Sequence, residues 1–222
     1  MLKVFQDIFH TFYYVSLITA AFITIIFWKK VGKAVKYISI LILITLISEF
    51  VAKYFSFKLK ISNNIVYHFF VIIEYGLYCL IFHLNLRSAL TTKFLVISLV
   101  VLIIGEITNT IFFQPLETTN TNILILEALF LVFFSLLLFK KLSENIEMDS
   151  LFPQSVFWFN TGILIYYSFN VLIWGFHSFK VYRLERPPII IYDINLLLSG
   201  LLYLLFSVAI VLDYQSIKRR IK

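Results

Sequence analysis

Apolar residues gather along the chain into seven runs of about 20, the number a helix needs to cross roughly 30 Å of hydrocarbon at 1.5 Å per residue. The runs fall at approximately 9–28, 37–55, 65–86, 94–113, 123–139, 156–179 and 191–212. They predict an all-α, polytopic membrane protein: a seven-transmembrane-helix bundle forming a single transmembrane domain over 1–222. No connector exceeds about 16 residues, which leaves no room for a soluble catalytic or nucleic-acid-binding domain between spans.

Polar residues interrupt these runs at regular places. Lys36 precedes Glu49 by 13 residues and Lys93 precedes Glu106 by 13; Glu74 precedes Arg87 by 13 and Glu127 precedes Lys140 by 13. Spans two and three therefore repeat as spans four and five, a tandem helical hairpin after the first helix: up to a Glu, over a loop, and down past a second Glu to a basic anchor. "SEFVAKYF" and "GEITNTIF" share a small residue before the Glu and a Phe six after it. Spans six and seven give a diverged third copy, with Trp158 twelve residues before Asn170 and Asp193 near the start of span seven.

Composition agrees with a membrane-embedded chain. Of 222 residues, 61% are hydrophobic and 14% charged, and the mean hydropathy is +0.93; a soluble domain runs nearer half apolar and a quarter charged. The net charge of +7 does not point to nucleic acid, because the basic residues sit in loops and at the tail "DYQSIKRRIK", where they address the lipid bilayer. Placing the N-terminus outside puts twelve Lys and Arg on the cytoplasmic side and six opposite, with Lys53 inside a span. The positive-inside rule thus favours an outside N-terminus and a cytoplasmic C-terminus. The loop "QPLETTNTN", free of basic residues, then falls outside. The first run is too long for a signal-peptide core and is followed by "KKVGKAVK", so it is expected to be a retained helix. Cys79, the lone cysteine, forms no internal disulfide.

Thirteen residues rise about 20 Å, which sets each Glu on the outer side of the midplane. The same outer half holds Lys53, His68, Asn109, Asn170, His177, Asp193 and Asn195, whereas the inner half has only His83, Asn85 and Asn160 near its edge. A Glu about 10 Å deep cannot reach the interface and must face the bundle interior or water. Local contacts could account for some of these groups. Glu49 and Lys53, four apart, have the order of a helical ion pair; Glu106 with Asn109, and Asn170 with Trp174 and His177, form stripes that can join helices. Asp193 and Asn195 follow "RPP" at a helix start, where a carboxylate suits the dipole. His10 is expected at the outer interface as an ordinary surface histidine. One depth shared across six helices has a simpler cause, an outward-facing polar pocket. Its predicted lining is Glu49, Lys53, Tyr67, Glu74 and Glu127, with His68 offset toward a neighbouring helix, Glu106 and Asn109 on span four, and Asn170, His177, Asp193 and Asn195 on the last two spans.

These parts predict a receptor-like, signal-input module that binds a small ligand or ion and acts through a separate partner. In order, "ISEF", "NNIVYHFFVIIEY", "TNTNILILEALFLV" and "FPQSVFWFNTGILIYYSFNVLIW" make up a chain that resembles an uncharacterised family of seven-span proteins of Bacteroidota. Members of that family are often encoded beside sensor histidine kinases. The resemblance covers most of the chain and implies a bacterial inner-membrane protein with a histidine kinase or other signalling partner; it carries over no catalytic residues. No cofactor is expected. Two alternatives stand beside this reading. A metal-dependent intramembrane lipid hydrolase could use His10, His68 and His177, although no two histidines have ligand-like spacing. An ion-coupled transporter could use the in-span carboxylates, although the inner half lacks a polar path. Span seven has no Lys for a retinal Schiff base.

Overall fold

The computed structural model describes residues 2–144, 151–183 and 188–221. Arg186 and Pro187 of "RPP", and Lys222 of the charge count, lie outside the described residues. The described chain is all-helical: α1 Leu2–Phe27, α2 Lys33–Tyr54, α3 Asn64–Leu86, α4 Ala89–Phe112, α5 Thr121–Glu144, α6 Ser155–Tyr182 and α7 Ile190–Ile221. Among the described residues seven helices are long and apolar enough to cross a membrane, one over each of the seven runs, with α1 starting before its run and α7 extending beyond its own. The protein is an integral membrane helix bundle.

Helix faces follow from which side meets lipid. On α4 the buried positions are Leu95, Ser98, Leu102, Glu106 and Asn109, one stripe at spacings of three and four. Its other face exposes Ile97, Val101, Ile104, Ile107 and Ile111. On α4 the polar Ser98, Glu106 and Asn109 thus turn inward beside Leu95 and Leu102, while bulky apolar side chains cover the outside, the arrangement expected where the solvent is hydrocarbon.

Packing partners define the architecture. α7 packs on α1, α1 on α2, α2 on α3, α3 on α5, α5 on α6 and α6 on α7, which closes a ring of six helices. α4 lies outside that ring against α3 and α5. The two hairpins of the sequence repeat are both antiparallel, but only the first keeps both of its helices in the ring.

At the end of the bundle carrying the α1–α2, α3–α4 and α5–α6 connections, part-buried and buried polar contacts tie the helices together. Arg87 takes a left-handed conformation (φ 53°) and ends α3 two residues before α4 begins. Lys141 Nζ donates to the carbonyls of Asn85 (2.6 Å) and Leu86 (2.8 Å), placing a cation on the C-terminus of α3. Lys140, expected as the anchor of this hairpin, is exposed and 3.8 Å from Glu144 one turn on. Asp213 of α7 accepts from the Gly32 N–H (2.7 Å), so a carboxylate caps the start of α2. Asn160, expected near the edge, is fully buried: its Nδ2 donates to the Ser135 carbonyl and the Ser135 hydroxyl donates to its Oδ1, both at 2.9 Å, joining α5 to α6.

Candidate functional site: a tyrosine-lined cavity with three carboxylates

The opposite end of the ring encloses a cavity of about 480 Å³, lined from all six ring helices, within the range of small-molecule sites. Its mouth is made by the exposed His10 of α1, Asn63 and Asn64 at the start of α3, and Thr119 of the α4–α5 connection. Its floor is aromatic. Tyr167 packs edge-on against Tyr78 (5.7 Å between centroids), and Phe159 stacks on Phe206 (5.3 Å); Tyr78, Phe82, Phe134 and Phe159 below are buried. Aromatic side chains fill the ring's centre there, so the recess ends inside the bundle.

Among the described residues three carboxylates reach the cavity wall: Glu49 from α2, Glu74 from α3 and Glu127 from α5. Their surroundings differ. Glu49 accepts the hydroxyls of Tyr13 and Tyr14 at 3.1 Å and of Tyr67 at 3.3 Å. Glu74 accepts the Tyr167 hydroxyl at 3.0 Å and is only partly buried, because one side faces the open recess. Glu127 is 1% exposed, and its Oε1 has no hydrogen-bond partner among the described residues.

Of the sequence-predicted lining, Glu49, Tyr67, Glu74, Glu127, Asn170 and Asn195 border the cavity. Asn195 donates to Asn170 at 2.8 Å, joining α7 to α6 at its wall. Six predicted residues do not border it. Lys53 forms no ion pair with Glu49: tyrosine hydroxyls occupy that carboxylate, and Lys53 Nζ lies 3.7 Å from the centroid of the Tyr14 ring with its stem along the exposed helix face. His177 stands behind the wall with Nε2 2.7 Å from the Tyr192 hydroxyl. Asp193 is buried in the first turn of α7, where the helix dipole favours it.

The remaining three, His68, Glu106 and Asn109, form a separate polar cluster because α4 lies outside the ring. His68 Nδ1 is 2.7 Å from Glu106 Oε1, and its Nε2 is 3.1 Å from the Thr118 carbonyl. A carbonyl oxygen only accepts, so Nε2 carries hydrogen, and one proton is shared between Nδ1 and Oε1. The pair is neutral overall whichever group holds that proton. Asn120 donates to Glu106 Oε2; Asn109 donates to Asn120 (2.7 Å) and accepts from Asn122 (2.8 Å). Every partner outside α3 and α4 comes from the loop "QPLETTNTN" or the first residues of α5, so the cluster fastens that connection over the cavity's rim.

Sequence reasoning passed over most of the wall. Tyr13, Tyr14, Tyr166, Tyr167, Tyr192 and Tyr203 line the cavity beside Tyr67, together with Trp174 and Ser199. A hydropathy pattern scores tyrosine as apolar filling; the paired "YY" at 13–14 and 166–167 was the available signal. His10, expected as an ordinary surface residue, sits at the mouth. Among the described residues no three His, Cys, Asp or Glu side chains come together as a metal-ligand set.

The chain matches no protein-family model, no curated protein and no solved structure.

Proposed function

We propose that the protein is a receptor-like signal-input module of a bacterial inner membrane, with its N-terminus outside and its C-terminus cytoplasmic. The cavity takes a small ligand from outside, and occupancy shifts the ring helices whose far ends meet a cytoplasmic or membrane partner. The observation that carries this reading is a polar recess built by six helices that ends on an aromatic floor. A closed recess suits binding, whereas a carrier needs a route onward. The charge distribution supports the orientation. A histidine kinase as the partner is supported only by the resemblance to the Bacteroidota family.

A ligand is coupled to the far end only if it binds two arrangements of the ring unequally. α7 is the natural conductor: Tyr192, Asn195, Ser199 and Tyr203 line the cavity, and Asp213 of the same helix caps α2 at the other end. The test uses Ser199→Cys in a Cys79→Ser background, modified by the membrane-impermeant reagent trimethylammonioethyl methanethiosulfonate. Modification is expected from the outside only, and hydrogen exchange around Asp213 should change once the group occupies the cavity. Reaction from the cytoplasmic side would favour a transport path. An unaltered exchange pattern at Asp213 would remove the receptor reading.

A further inference from the structure

The membrane carboxylates divide by what balances their charge. Glu106 shares a proton with His68 in a neutral pair. Glu49 receives three tyrosine hydroxyls, and Lys53 stands over the ring of one of them. Glu74 and Glu127 have no such cation among the described residues: neither Lys nor Arg is among those that border the cavity, and His10 stands at its mouth. Glu127 is the sharper case, a carboxylate buried to 1% exposure whose Oε1 lacks a donor among the described residues. A buried acceptor left unpaired is costly, and a charge left unpaired more so.

The rest of the wall states which cation would complete the site. Seven tyrosines, Trp174 and Phe70 border the recess, and the negative faces of aromatic rings attract organic cations most strongly where water is excluded. Val71, Leu124 and Leu196 add apolar surface. A bare metal ion is a poor fit, since it needs several ligands at one point and no three acidic or histidine side chains meet that way among the described residues. An anion would face Glu74 and Glu127 with no Lys or Arg among the described lining residues to offset them.

We propose that the cavity binds a small organic ammonium, its N–H donors taken by Glu127 and Glu74 and its apolar body laid against the tyrosine rings and Trp174. This deepens the ligand-site reading above and rests on it. The hydroxyls on Glu49 hold that carboxylate in place as part of the wall, which leaves Glu74 and Glu127 to meet the ligand. Selectivity follows from the two features together, because a neutral molecule of the same shape gains the ring contacts but leaves the Glu127 oxygen without a charged donor.

Protection of Ser199→Cys in the full-length, Cys79→Ser protein tests the proposal. The thiol is modified with the neutral reagent methyl methanethiosulfonate in the presence of phenethylamine, putrescine, phenethyl alcohol or glucose. At least one of the two amines is expected to slow the reaction, and the alcohol and the sugar to leave it unchanged. Glu127→Gln should raise the protecting amine concentration at least about tenfold, as losing one charge-assisted hydrogen bond does. Glu74→Gln makes the same comparison should the first variant fail to fold. Equal protection by phenethylamine and phenethyl alcohol, protection by glucose alone, or no protection by either amine would overturn the ammonium while leaving a reachable cavity. A thiol at position 199 that never reacts would instead overturn the ligand site itself.

Discussion

At the scale of single residues, the polar groups of this bundle sort by how completely their neighbours satisfy them. Asn160 and Ser135 exchange hydrogen bonds at 2.9 Å in a fully buried setting and need nothing further. Interhelical hydrogen bonds in membranes contribute about 0.6 to 2 kcal/mol. A double-mutant cycle of Ser135→Ala and Asn160→Ala, read by unfolding in mixed micelles, should therefore give a coupling of about 1 kcal/mol. A coupling near zero would mean that each side chain finds another partner when its own is removed. Glu127 is the opposite case, buried with an oxygen to spare. Both were visible in the sequence as polar residues within apolar runs, Glu127 in the outer half and Asn160 near the inner edge, but nothing in spacing alone separates a satisfied group from an orphan.

Helix pairing depends on small residues at a few close approaches. Gly200 of α7 faces α1 so closely that an added Cβ would lie 2.4 Å from Cε1 of Phe12. Gly162 of α6 likewise meets Leu202 of α7, at 3.1 Å. Lipid tails are as apolar as the side chains they would replace, so helices associate largely through such packing. Gly200→Val should separate α1 from α7 and cost about 1 to 3 kcal/mol by overpacking, measured as a lower unfolding midpoint in micelles. Adding Phe12→Ala opens the space and should recover part of that loss, a non-additivity expected of residues in contact. Failure of the second change to rescue the first would place the clash elsewhere. The repeat visible in the glutamate spacing also resolves at this scale. Its second members, Glu74 and Glu127, both face the cavity. Its first members part company, Glu49 into the cavity wall and Glu106 into the His68 cluster, because α2 belongs to the ring and α4 does not.

The whole molecule is asymmetric from end to end. One end holds the tyrosine-lined recess and the Glu106 cluster; the other carries Lys141, Asp213, the basic end of α7 and a smaller pocket bordered by Gly32, Asp213 and Phe159, with aromatic packing between the two. The proposed orientation makes the first end external. In spheroplasts, an impermeant thiol reagent should label Glu117→Cys in the α4–α5 connection and spare Ser88→Cys between α3 and α4, both in the Cys79→Ser background. The reverse pattern would invert the topology and turn the cavity toward the cytoplasm.

Seven helices and their membrane setting were legible from hydropathy, because length and apolarity are local properties that hydrocarbon selects residue by residue. The concentration of polar groups toward one end was legible for the same reason, through the fixed rise of a helix. Rotation about each helix axis and order around the ring were not. Those are decided by which helices touch, and a displaced α4 was enough to carry His68, Glu106 and Asn109 away from the site while six tyrosines that looked like filling became its wall. The Glu49–Lys53 pair failed similarly: spacing permitted it, but three hydroxyls from α1 and α3 reached the carboxylate first. Depth is written along one dimension of the chain, whereas convergence is a property of the packed bundle, and only tertiary contacts could assign it.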